Sequence, residues 1–177
     1  MISPTTSLCP APQEIKSVVL KSGDFHFGSG PTRISTLLGS CVSITLWHPR
    51  KRIGGMCHYM LTERQRPPAT PPDGRYASEA FELFLQHVAR EGTKPGEYQA
   101  KLFGGACMFE NAATGRTDIG AQNIEYGLTL LHQHGIAVIS SHVGGSGRRK
   151  LHFELWSGEV WLAFPEGEGA RSSKPGT

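Results

Sequence analysis

Apolar residues along this chain fall into short clusters, and their spacing alternates between two periods. Across residues 41–47, Val42, Ile44 and Leu46 alternate with Ser43 and Thr45, which is the two-residue period of a half-buried strand. Residues 15–20 predict an earlier strand. Residues 53–61 predict the returning arm of a hairpin, loosened by Gly54 and Gly55, beyond a basic turn at 48–52. At 76–90 the period lengthens. Ala77, Ala80, Phe81, Phe84, Leu85 and Val88 share one helical face, and Gly92 stands where a helix end wants a left-handed residue. A second helix is predicted over 119–134, with Thr117 or Asp118 as cap and Gly135 as stop. Residues 98–103 predict a strand ending in Gly104 and Gly105, and residues 136–139 a buried strand. The alternation of Leu151, Phe153 and Leu155, the turn at Ser157 and Gly158, and the apolar run at 160–164 predict a closing hairpin.

Between these clusters lie Gly/Ser/Pro punctuation at 28–31 and a polar loop at 62–74 carrying Pro67, Pro68, Pro71 and Pro72. Loops of that length inside a small domain are often functional. The reading is a strand-rich α+β domain with two main helices over residues 15–165. A flexible segment at 1–14 and a disordered tail at 166–177 flank it, and no repeat or internal linker divides it.

Composition narrows the class. The chain has 177 residues, 38% hydrophobic and 19% charged, with a net charge of +3. A chain of this length can bury well over half of its unfolded surface, and the apolar share excludes wholesale disorder. No apolar run approaches the roughly 20 residues of a spanning helix, so no membrane insertion is expected. The first residues lack the basic start and apolar core of a signal peptide, and a cytoplasmic location follows as the expectation. There Cys9, Cys41, Cys57 and Cys107 stay reduced. They form no CxxC pair, so no metal or other cofactor is expected. The positive charge is spread along the chain, which argues against nucleic acid as a partner.

Candidate chemistry centres on Cys41, which follows the Gly39–Ser40 turn at the mouth of a strand. Backbone N–H groups at such a turn can lower a thiol pKa and later hold an oxyanion; the alternative is an ordinary buried core cysteine. His58 lies on the returning strand, where a hairpin can bring it back toward Cys41. Cys57 must then face the other side of the sheet, so Cys41 shares a site with one of the two but hardly with both. Ser35 or Thr36 can orient an imidazole as the third member of a triad, or be plain strand residues. The segment from Gly104 through Cys107, Met108 and Phe109 is a Gly turn followed by soft apolar groups, a candidate binding lip. The Gly-rich run at 144–149 lacks the Lys-Ser/Thr ending of a phosphate loop and reads as a hairpin turn with flanking basic residues.

The blocks Thr36-Leu37-Leu38-Gly39-Ser40-Cys41-Val42 and Gly54-Gly55-Met56-Cys57-His58-Tyr59-Met60-Leu61 resemble the chemoreceptor glutamine deamidase family, CheD. The resemblance continues through Gly104-Gly105-Ala106, Met108-Phe109, Ile119-Gly120, Asn123 and the Gly144-Gly145 turn, covering roughly residues 17–164 in order. It implies a layered α/β sandwich of mostly antiparallel strands, similar to bacterial toxins that deamidate glutamines. It further implies a cysteine hydrolase acting on methyl-accepting chemoreceptors, with Cys41 as nucleophile and His58 as general base. The supporting hydroxyl falls on Ser35 or Thr36, and Met108 and Phe109 are assigned to partner or substrate contact. Gln122 stands where an arginine is common, and His142 near a usual acidic position. Some family members bind a CheC-type phosphatase, so an adaptor role is the competing reading, and a general cysteine amidase a third.

Overall fold

The computed structural model describes residues 12–107 and 118–165. Nine strands and two helices run in the order β1 (Lys16–Leu20), β2 (Phe25–Ser29), β3 (Thr32–Leu38), β4 (Val42–His48), β5 (Ile53–Cys57), α1 (Ala77–Arg90), β6 (Gln99–Gly104), α2 (Ile119–Gln133), β7 (Ala137–Val143), β8 (Arg149–Glu154) and β9 (Val160–Ala163). They make two sheets, β1-β3-β8-β9 and β2-β5-β4-β6-β7. The β1–β3 and β6–β7 pairs run parallel and the others antiparallel.

The hydrophobic residues sort into two cores, and so into three layers. Phe81, Phe84, Val88 and Leu131 of the helices pack with Val42, Ile44, Leu46, Cys57 and Leu102 of the five-stranded sheet. Leu20, Ile34, Leu38, Leu151 and Phe153 of the four-stranded sheet pack with Met56 and Phe103 on the other face of that same sheet. The five-stranded sheet is therefore covered on both sides.

That explains one departure from the sequence reading. Val42, Ile44 and Leu46 do face one way and Ser43 and Thr45 the other, but β4 is not half-buried. Ser43 is 0% and Thr45 1% exposed, because the second sheet covers their face. Ser43 meets the cost of burial by donating its hydroxyl proton to the Cys57 carbonyl at 2.7 Å.

Both helices form where the spacing places them. Tyr76 is the N-cap residue of α1. The Asp118 carboxylate caps α2 by accepting from the Ala121 N–H at 3.1 Å. The proline-rich loop is strapped to α1 by ion pairs, Arg64 to Glu79 at 2.7 Å and Arg66 to Glu82 at 2.8 Å.

Three other expectations are corrected. The returning strand stops at Cys57; beyond it an isolated bridge, Val42 with Tyr59, continues the pairing, and Leu61 instead bridges in parallel to Tyr76. The buried strand read at 136–139 is an exposed edge strand: Ile136 is buried, but Val138 is 38% and Ile139 51% exposed. An apolar run alone does not distinguish the middle of a sheet from its rim. The Gly-rich run at 144–149 is no hairpin turn, because β7 and β8 belong to different sheets and the run crosses between them. β2, hidden in a stretch with little alternation, and β3 are additional strands that the spacing did not predict.

Candidate active site

The site forms where the two sheets meet at one end. Extending the β4–β5 register places Ser43 opposite His58 and Val42 opposite Tyr59, the latter pair joined by reciprocal N–H to C=O bonds of 3.0 Å. Cys41 and Ser43 are two residues apart and share a face, so Cys41 and His58 are diagonal neighbours on the side that faces β3. Cys57 points into the helix-side core, where burial pushes its thiol up to about 12. Strand alternation thus sends Cys57 to the opposite face and away from the site.

His58 is only 4% exposed, and both of its ring nitrogens have hydroxyl partners. Thr36 Oγ1 lies 2.7 Å from Nδ1, and the same hydroxyl donates to the Leu20 carbonyl at 2.8 Å. A hydroxyl has one proton, and a carbonyl can only accept. With the Thr36 proton given to Leu20, Nδ1 must carry the imidazole hydrogen and donate it to Thr36. The lone pair is therefore on Nε2. Ser35, the other hydroxyl candidate, lies on the opposite face of β3, in register with Val19 and His152. Pleating decides between the two: Thr36 faces inward between Ile34 and Leu38, and Ser35 does not.

Sequence reasoning missed Ser22. Its hydroxyl lies 3.3 Å from Nε2, on the turn between β1 and β2. Lys21 and Asp24 close that turn with a 3.0 Å backbone bond, and Gly23 at φ +90° takes the third position, where only glycine is at ease. Two backbone bonds then moor the turn to His58: Gly23 N–H to the His58 carbonyl at 2.7 Å, and His58 N–H to the Asp24 carbonyl at 3.2 Å. No periodicity announces such a contact.

Ser22, Leu37, Leu38, Gly39, Ser40, Cys41, His58 and Arg148 line a pocket of about 270 Å³. Leu37 and Arg148 are exposed at its mouth. Burial pushes the Cys41 thiol pKa up, against hydrogen bonds from the Ser22 side chain and from the Cys41 N–H, which pull it down. Burial also pushes His58 below its ordinary 6.5, opposed by the charge of Asp24. Both effects favour the uncharged resting pair, a thiol beside a free imidazole base.

The Gly39–Cys41 turn is held from behind. Gly105 N–H donates to the Cys41 carbonyl at 2.8 Å and Ala106 N–H to the Gly39 carbonyl at 2.9 Å. That segment is gripped in turn by Arg149, 2% exposed, whose guanidinium donates to the carbonyls of Gly104 at 3.2 Å, His142 at 2.7 Å and Gly144. Cys107 is exposed. Met108 and Phe109 lie outside the described residues. Among the described residues no cluster of three or more His, Cys, Asp or Glu side chains has the arrangement of a metal site, and no helix is long and apolar enough to cross a membrane.

Residues 60–164 match the family model described as CheD chemotactic sensory transduction. The chain is 68% identical over 160 residues to the probable chemoreceptor glutamine deamidase CheD 3 of Dechloromonas aromatica, covering 90% of this chain and 94% of that one. It is 44% identical over 153 residues to the probable chemoreceptor glutamine deamidase CheD of Pseudomonas savastanoi pv. phaseolicola, covering 85% and 86%. The corresponding protein of Pseudomonas fluorescens is 45% identical over 147 residues, covering 82% of each.

Proposed function

The chain belongs to the CheD family, and on that premise we propose that it deamidates selected glutamines of chemoreceptors through a thioester on Cys41, with His58 moving the protons. The observation that carries this reading is the hydrogen bond from His58 Nδ1 to Thr36 at 2.7 Å. It presents the Nε2 lone pair to the pocket that Cys41 lines.

The reaction follows from those positions. The glutamine side chain enters past Leu37 and Arg148. The thiol proton passes to Nε2, and the thiolate attacks the carboxamide carbon. The oxyanion that forms lies beside the Gly39–Cys41 turn, where the Cys41 N–H already reaches toward its own sulfur. A carboxamide expels ammonia only if the nitrogen is protonated first, and the imidazolium Nε2–H is the acid at hand. Water, losing its proton to the same Nε2, then opens the thioester and restores the thiol. The net change is glutamine plus water to glutamate plus ammonia, one new negative charge per turnover on the receptor's helical bundle. The nucleophile works only as a free thiol, which suits the reducing cytoplasm. A CheC-type phosphatase is a further partner, tested by co-purification.

Intact mass of a co-expressed receptor tests the reading. Wild type adds about 1 Da per modified glutamine and releases ammonia, while Cys41→Ala adds nothing measurable and His58→Asn works far more slowly. General acid–base assistance contributes about 100- to 10,000-fold. A folded wild-type protein that leaves receptor mass unchanged, or a Cys41→Ala variant that still deamidates, refutes it.

A further inference from the structure

Ser22 belongs to none of the motifs that carry the family resemblance, yet its hydroxyl sits at the reacting atoms. It is 3.3 Å from His58 Nε2 and lines the same pocket as Cys41, whose thiol pKa its side chain pulls down. The turn that carries it does not need its side chain: the backbone bond and the Asp24 carboxylate, which accepts from the Lys21 N–H at 2.8 Å, close it. The two backbone bonds to His58 fix the distance from turn to imidazole. Thr36 has already committed Nδ1, so Nε2 can only accept in the resting state, and a hydroxyl facing it must donate.

We propose that Ser22 is a third catalytic group beside Cys41 and His58, bridging the Cys41 sulfur and His58 Nε2, relaying the thiol proton and then holding the thiolate. In the relay the S–H bond breaks as its proton joins Ser22 Oγ. The original Ser22 O–H bond breaks as that proton joins Nε2. The products are a thiolate, an intact serine hydroxyl and an imidazolium, with Ser22 unchanged. Afterwards the imidazolium Nε2–H donates to Ser22 Oγ, and the serine proton donates to the sulfur. The same group that carries the proton thus stabilises both new charges. This matters in a pocket whose burial disfavours charge on either partner. The charged side chains around the pair are Asp24 from the Ser22 turn and Arg148 from the β7–β8 crossing, while Thr36 and residues 37–40 bring none.

The role rests on the Cys41–His58 pair proposed above but not on the identity of the substrate, so a small alkylating agent tests it. Iodoacetamide modification is followed at Cys41 by peptide mapping, because Cys107 is exposed and Cys41 only partly so, for wild type, Ser22→Ala, Ser22→Thr and His58→Asn across the titration range of the thiol. Losing one hydrogen bond to a charged group moves the Ser22→Ala profile about one unit toward alkaline pH, a fall of about tenfold in rate at neutral pH. At the alkaline plateau, where the thiol is ionised regardless, Ser22→Ala matches wild type. Ser22→Thr restores the hydroxyl and the wild-type profile. Superimposable profiles for wild type and Ser22→Ala overturn the proposal, as does a uniform fall at every pH, which would mean altered access. If His58→Asn moves the profile and Ser22→Ala does not, the role of Ser22 alone falls. If neither moves it, the thiol–imidazole pairing falls as well.

Discussion

Replacing Thr36 by Val keeps the shape of a side chain that is 3% exposed and removes one oxygen. That oxygen accepts from His58 Nδ1 at 2.7 Å and donates to the Leu20 carbonyl at 2.8 Å. Two costs follow on separate scales. In the resting enzyme the Nδ1 bond joins neutral groups, contributing about 0.5–1.5 kcal/mol; once Nε2 has taken the thiol proton it comes from a cation, contributing about 1.5–3 kcal/mol. The difference, about 1–2 kcal/mol, raises the barrier and lowers turnover roughly 5- to 30-fold. Freed from Thr36, part of the imidazole also adopts the tautomer with its hydrogen on Nε2, which cannot take a proton from the thiol. The expected total is a loss of about 10- to 100-fold in kcat with KM little changed, because no group that meets the substrate is altered. Stability falls by about 1–3 kcal/mol, since the Leu20 carbonyl loses a buried partner. Thr36→Ser restores the hydroxyl and most of the activity, and Ser35→Ala, on the opposite face of β3, leaves turnover unchanged. The assay is ammonia release from purified receptor at saturating substrate, beside thermal melts of each variant. A folded Thr36→Val enzyme turning over within twofold of wild type would refute the tautomer argument.

His58→Asn keeps a polar side chain but cannot cycle a proton, so turnover in single-turnover mass analysis should fall about 100- to 10,000-fold. Activity of the wild type should persist to lower pH than an ordinary histidine permits, because burial holds His58 below 6.5; an acid limb at or above that value in a pH–rate profile contradicts the assignment, the limb belonging to the coupled pair. Stability should fall with acid for the same reason. Above 6.5 His58 is neutral folded and unfolded, but below it the unfolded chain binds the proton first, so melting temperature drops as pH falls through that value. The drop should be smaller in His58→Asn. Arg149→Met should lower stability by about 1–3 kcal/mol, as one buried and two part-buried carbonyl hydrogen bonds lose their donor, and should slow Cys41 alkylation by loosening the turn behind it; a melt unchanged from wild type would show that the grip is dispensable.

The helices were legible because their signals are local. Six apolar positions on one face, an aspartate cap and glycines past each C-terminus need no knowledge of the rest of the chain. Strand burial was not legible, because it depends on what covers the second face. Val42, Ile44 and Leu46 looked like the buried half of β4, and they are. Ser43 and Thr45 looked solvated, and they lie under a second sheet assembled from residues up to 163. β7 fails in the opposite sense, apolar in sequence and exposed at the rim.

The site divides along the same line. Cys41 and His58 come from one hairpin, so spacing and alternation could bring them together and set Cys57 apart. Thr36 and Ser22 reach the imidazole from the other sheet and from the turn leading out of it. Their identity rests on pleat phase and on two backbone bonds to His58, which no local pattern records. A seam between sheets is also where such a pair is useful. Two covered faces supply the burial that keeps thiol and imidazole uncharged until a substrate arrives. The seam's open end, between Leu37 and Arg148, leaves the sulfur within reach. Burying the pair completely would raise the thiol toward the value of about 12 reached by Cys57, and at that value almost no thiolate forms at neutral pH. Hydroxyls on both ring nitrogens are what let the site keep most of the burial and still separate the charges.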